Sequence, residues 1–100
     1  MIKLDDILFI RRNGEIVTWN SQKVFSAISK AFDSIEYSND EAVQTIAQEV
    51  ENSVIHRRSR SILLEDVQDY VQESMMRYGA NREDSNVFRA VTNFILYRQN

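Results

Sequence analysis

Cysteine and proline are absent from the sequence, and glycine occurs only twice, at Gly14 and Gly79. Without cysteine there is no disulfide framework, no thiolate nucleophile and no Cys-based zinc site. The single histidine, His56, excludes a His-rich metal centre. No apolar run approaches the ~20 residues that span a bilayer. The N-terminal MIKLDDILFI lacks the long uncharged apolar core of a signal peptide. These absences point to a soluble, cytoplasmic protein with no membrane partner. The missing proline and scarce glycine leave no flexible linker, and 100 residues carry one modest core but not two. A single domain over residues 1–100 is expected. The formal net charge is −3. A nucleic-acid footprint would be basic, so no nucleic-acid partner is expected, and any polyanion must be held by a local cluster of cations.

Such a cluster is present in FIRRNGEIVTWNSQKV, Phe9 to Val24. ILFIRR (Ile7–Arg12) and EIVTW (Glu15–Trp19) are β-branched and aromatic runs separated by Asn13-Gly14, a dipeptide that favours a two-residue type I′ hairpin turn. Asn20 or Ser21 can cap a following helix, in which Val24, Phe25, Ile28, Ala31, Phe32 and Ile35 recur at helical spacing. Ser38 and Glu41 have the spacing of a capping box for a second helix, which carries Val43, Ile46, Ala47, Val50 and Val54 and ends at HRRSR. SILL can add a third strand or lead into the next helix. Glu65 and Asp66 suit the positive end of a third helix, with Val67, Val71, Met75 and Tyr78 facing inward and Gly79 as its terminator. A last helix runs from about Glu83 to Tyr97, with Val87, Val91, Phe94 and Ile95 inward. The expected fold is α+β: a small N-terminal β-hairpin, open to a third strand, packed on a bundle of four α-helices.

The residues offer little for catalysis. There is no paired nucleophile and base, and Glu65, Asp66 and Asp69 are accounted for by the helix dipole and solvation. Neither a Walker loop nor GxGxxG is present. Anion binding is better supplied. Strand alternation would send Arg11 and Arg12 to opposite faces. Lys23 falls in the first turn of a helix, where backbone N–H groups already favour negative charge. Phe9, Trp19 and Val24 could hold a planar base or ribose beside them. On spacing alone, exposed hairpin arginines are ordinarily just solvated side chains, Trp19 suits a core plug, and HRRSR suits a solvated helix end.

The order of three segments adds to this. FIRRNGEIVTWNSQKVFSAISKAF resembles the opening of the ATP-cone family, which reads Val-x-Lys-Arg-Asp-Gly and then Phe-(Asp/Asn)-x-x-Lys-Ile. LLEDVQDYVQESM resembles its later Ile-Gln-Asp-x-Val-Glu helix, and NFILYRQN its closing Tyr-Ile-x-Tyr-Arg segment. The matches fall in family order across nearly the whole chain. The resemblance implies a non-catalytic regulatory module, most often found at the N-terminus of ribonucleotide reductase, where ATP permits activity and dATP stops it. It implies phosphate contacts for Arg11 and Arg12, and sugar or phosphate contacts for Asn20 and Lys23. Phe9, Ile10, Trp19 and Val24 would form an apolar wall. Leu64 and Gln68 would approach the base, and Ile95 and Gln99 would close the pocket. Magnesium would arrive on the nucleotide phosphates, with no protein ligands. Arg11 replaces the family's first lysine, Gln99 stands where some relatives carry a base, and Thr18-Trp19 makes a bulkier wall.

Regulation would follow if ATP and dATP seat differently and thereby move helices that select an oligomer, with Tyr78 and Tyr97 on the contact patch. The implied partners are adenine nucleotides, reductase subunits and further copies of the same chain. A cone-bearing transcriptional repressor would need a Cys-rich zinc ribbon ahead of the cone, where this chain has eight residues and no cysteine. The end at Asn100, where the family pattern closes, points to an excised fragment. The alternative reading is a helical protein-interaction domain with a degenerate pocket, against which Arg11, Arg12, Asn20 and Lys23 speak, because packing requires none of them.

Overall fold

The computed structural model describes residues 3–99. A short helical turn, Leu4–Asp6, leads into strands β1 (Leu8–Ile10) and β2 (Ile16–Thr18). Helices α1 (Ser21–Asp33) and α2 (Asp40–His56) follow, then strand β3 (Ser61–Leu63) and helices α3 (Leu64–Arg82) and α4 (Ser85–Arg98). The α+β expectation holds, and SILL does both things open to it: Ser61–Leu63 is a strand, and Leu64 begins a helix with no intervening loop.

The sheet order is β2-β1-β3, antiparallel on one side and parallel on the other. The register places Phe9 opposite both Val17 and Ile62, and Ile10 opposite both Ile16 and Leu63. Because side chains alternate along a strand, the first row faces the helices and the second faces away. Ile62 is accordingly buried, while Ile16 and Leu63 are exposed. Each helix then contributes the stripe its spacing requires. Val24, Ile28 and Phe32 of α1, Val43, Ile46 and Val50 of α2, Val67, Val71 and Met75 of α3, and Val87, Val91 and Phe94 of α4 form one buried cluster.

Three local expectations are corrected. The hairpin is not a two-residue type I′ turn. Among the described residues Asn13 lacks the positive φ that turn needs, and only Gly14 has it within the loop, at 86°. Gly14 N–H donates to Arg11 O at 2.9 Å and Arg11 N–H to Glu15 O at 2.9 Å, which closes a three-residue loop with glycine at its left-handed position. Asn13 instead uses its side chain, accepting from Glu15 N–H at 3.0 Å. The second helix is capped by Asn39, not Ser38: its Oδ1 accepts from Ala42 N–H at 3.0 Å. Asparagine caps as well as serine, and Asn39 Nδ2 also donates to Tyr37 Oη at 3.2 Å.

Gly79 does not end the third helix, which continues to Arg82 and stops where Glu83 turns left-handed at φ 51°. Gly79 serves a close helix approach instead, since a Cβ placed there would lie 3.1 Å from Val87 of α4. The last helix begins at Ser85, two residues after Glu83, because Asp84 caps it by accepting from Asn86 N–H at 3.0 Å.

Candidate functional site

The hairpin loop, the start of α1, the first two turns of α3 and the end of α4 enclose a cavity of about 480 Å³. Its cations come from two elements: Arg11 and Arg12 from the loop, Lys23 from α1. The three-residue loop explains why both arginines are on one side. Arg12 belongs to the turn rather than to β1, so strand alternation does not separate it from Arg11, contrary to expectation. The floor is apolar, built from Phe9 of the sheet, Val24 and Ala27 of α1, Leu64, Val67 and Val71 of α3, and Phe94 of α4. Tyr97 stands at the rim, 61% exposed, with its ring 6.4 Å from that of Phe94.

One polar group interrupts the apolar floor. Gln68 lines the cavity, and its Oε1 is withdrawn from water yet accepts no hydrogen bond. A buried acceptor without a donor is unfavourable by ~1–3 kcal/mol, so this amide is suited to a ligand N–H or O–H.

A second recess of about 500 Å³ adjoins the first and shares Phe9, Arg11, Lys23 and Val24 with it. Trp19 and Asn20 line this recess rather than the main cavity. Trp19 is 9% exposed and behaves as a core plug. Its Nε1 donates to Glu51 Oε2 at 2.9 Å, and Ser21 Oγ donates to the same oxygen. Its ring stands edge-on to Phe9 at 5.8 Å, so it braces the wall of the main cavity from behind. Asn20 is the cap of α1: its side chain accepts from Gln22 N–H at 3.0 Å, and its carbonyl accepts from Lys23 N–H at 3.1 Å. Those two N–H groups are therefore taken, and the attraction for an anion lies in the side chains of Arg11, Arg12 and Lys23 rather than in the helix start.

Of the twelve residues expected at the site, Phe9, Arg11, Arg12, Lys23, Val24, Leu64 and Gln68 are brought together in the main cavity. Ile10 lies on the outward row of the sheet, opposite Ile16 and Leu63. Ile95 is half-buried against the core and Gln99 is the exposed residue closing α4; neither lines either hollow. Phe94 and Tyr97, one and two residues earlier in α4, line the cavity where Ile95 and Gln99 were expected. The helical stripe already marked Phe94 as inward, and inward at the end of α4 means toward this cavity. Asn13, Ala27 and Tyr97 carried no such mark. Among the described residues, no group of three or more His, Cys, Asp or Glu could hold a metal ion, and no helix is long and apolar enough to cross a membrane.

The arrangement presents cations at one side, apolar surface below and a buried amide acceptor within, which suits a flat heterocycle that bears phosphates. Comparison with known proteins agrees. Residues 7–100 match the family described as ATP cone domain. The chain is 33% identical over 95 residues to the ribonucleoside-diphosphate reductase subunit alpha of Treponema pallidum (strain Nichols), a match covering 89% of this chain and 10% of that protein. The chain thus spans about a tenth of the length of this relative.

Proposed function

The chain belongs to the ATP-cone family, and from that premise we propose that residues 1–100 form one regulatory, non-catalytic unit of a ribonucleotide reductase. It binds ATP as activator and dATP as inhibitor in the main cavity. The observation that carries this reading is the convergence of Arg11, Arg12 and Lys23 over an apolar floor that contains the unpartnered Gln68 Oε1. Phosphates, with the magnesium they carry, sit at the three cations, where arginine forks and a lysine point charge give charge-assisted bonds. The adenine lies on Phe9, Val24 and Leu64, with its exocyclic amine toward Gln68 Oε1. Nothing in this scheme asks a side chain to break a bond in the ligand. A cytoplasmic reductase is the natural host.

ATP and dATP differ only at the ribose 2′-position, so discrimination changes which polar groups there are satisfied. For that to control an oligomer, the shift must reach an exposed patch that binds differently in the two states. Tyr78 is removed from that patch, since it is buried beneath Arg82, whose guanidinium lies 3.7 Å from its ring centre. Tyr97 remains, at the rim of the cavity and beside exposed Leu96. A smaller hollow of about 150 Å³ runs between α1 and α4 and shares Ala27, Phe94 and Tyr97 with the main cavity. A ligand that seats deeper meets Phe94 and Tyr97, the α4 residues that line both hollows.

Calorimetric titration with ATP and dATP in magnesium tests the reading. Both bind, dATP more tightly, and Lys23→Ala loses most of the affinity. A folded sample that takes up neither nucleotide at millimolar concentration overturns it. An association state unmoved by dATP, read by light scattering after size separation, removes the oligomer step alone. The rival reading, a protein-interaction domain with a spent pocket, requires that first negative result.

A further inference from the structure

The cations of the main cavity are not equivalent. Arg12 Nε lies 3.5 Å from Glu65 Oε1, across the gap between the hairpin loop and the first turn of α3. Arg11 Nη1 lies 3.7 Å from Glu15 Oε2 within the hairpin. Lys23 makes no ion pair among the described residues. The helix dipole alone does not explain Glu65. Of its acidic neighbours, Asp66 shares the first turn of α3 and pairs with Arg57 at 3.2 Å, and Asp69 in the second turn pairs with Arg98 at 2.9 Å. Of the three, only Glu65 pairs with an arginine that lines the cavity.

We propose that Glu65 limits the affinity of this site for polyphosphates: its carboxylate holds Arg12 while the cavity is empty and must release it before the guanidinium can serve a phosphate. The proposal rests on the reading of the cavity as a nucleotide site. Both side chains of the pair are well exposed, 61% and 59%, so the contact is screened and easily exchanged. After the exchange the carboxylate, next in the chain to Leu64 of the cavity lining, repels the ligand in proportion to the ligand's charge. Holding Arg12 in place would favour binding, but one exposed contact fixes little of so long a side chain. Repulsion and competition therefore outweigh preorganisation. The consequence for a regulatory site is reversibility, since a triphosphate is held loosely enough to exchange as its concentration changes.

The test is calorimetric titration of the chain and of Glu65→Gln with ATP, AMP and adenosine, at low and high ionic strength. ATP is expected to bind Glu65→Gln about three- to tenfold more tightly at low salt. The gain should be smaller for AMP, absent for adenosine, and below about twofold near 0.5 M salt, where screening acts within a few ångströms. Asp66→Asn, which removes the same charge one residue away, is expected to change ATP binding less than about twofold. In an Arg12→Ala background the gain from Glu65→Gln should fall by more than half. Unchanged or weaker ATP binding by Glu65→Gln overturns the proposal, as does a gain that persists in full without Arg12. In those cases ATP still binds the unaltered chain and the nucleotide reading stands; failure of the unaltered chain to bind ATP overturns both.

Discussion

The two ends of the molecule are built on different terms. At the end away from the sheet, every connection is tied. Phe32 packs edge-on to Tyr37 at 5.8 Å, and Tyr37 Oη donates to Asp84 Oδ2 at 2.7 Å. Asp84 caps α4, Arg82 lies over Tyr78, and Gly79 lets α3 and α4 close to contact. At the other end, three strands of three residues each carry the loop, two hollows adjoin one another, and Leu8, Ile16 and Leu63 are exposed on the outward face. The cations of the site there are held only by exposed ion pairs at 3.5 and 3.7 Å or by none. The ties between connections gather at the end away from the proposed site. The end that carries the cavity is left open, with polar groups whose partners can be exchanged, which suits the proposed role.

Substitutions at the two ends should separate accordingly. Phe32→Ala, at a fully buried position, is expected to lose ~3–5 kcal/mol in urea unfolding, while ATP affinity of the folded protein changes less than about twofold. An equal loss of binding would mean that the ends are not independent. Gly79→Val forces a branched side chain against Val87 and is expected to lose ~1–3 kcal/mol, again with binding retained. Lys23→Ala reverses the pattern: ATP affinity falls about tenfold, ~1.4 kcal/mol, with the unfolding midpoint unmoved. A shifted midpoint would make Lys23 structural.

Tyr37→Phe removes the bond to Asp84 and is expected to lose ~1 kcal/mol. It also carries a pH signature. The hydrogen bond to Asp84 is the main cause that raises the Tyr37 pKa above the ordinary 10.0. A raised pKa means that this stabilisation is fully present below pH 10.0 and is lost as pH rises through the folded-state value. The difference between wild type and Tyr37→Phe should shrink in strongly alkaline buffer; a gap that holds constant there would assign the effect to packing. The smallest change expected is a gain. Glu83→Gly relieves a left-handed residue at φ 51° and should add ~0.5–1 kcal/mol.

The helices were legible because each buries one stripe, and buried stripes repeat at helical spacing whatever the neighbours are. Their ends were less so. Ser38, Asn39 and Asp40 are all capping residues, and Asn39 makes a second bond, to a Tyr37 hydroxyl that is itself held by Asp84, a residue distant in the chain. Gly79 looked like a terminator because glycine commonly ends helices, yet its role is to admit Val87. At the site, Arg11, Arg12 and Lys23 could be marked by charge and family resemblance, and Gln68 by the resemblance alone. Asn13, Ala27 and Tyr97 could not, since being near a cavity leaves no trace in spacing.

The amino-acid sequence by itself determined the element types, the inward stripes and the presence of a cationic segment in a chain of net charge −3, because periodicity and composition are local properties. Tertiary structure alone decided that Arg12 leaves the strand to join Arg11 on one side, that Trp19 braces the wall from behind, and that Glu65 faces Arg12. The places of Trp19 and Glu65 depend on distances between elements remote in the chain, which are set only when the core closes, and that of Arg12 on a three-residue loop where the Asn13-Gly14 pair favours a two-residue one.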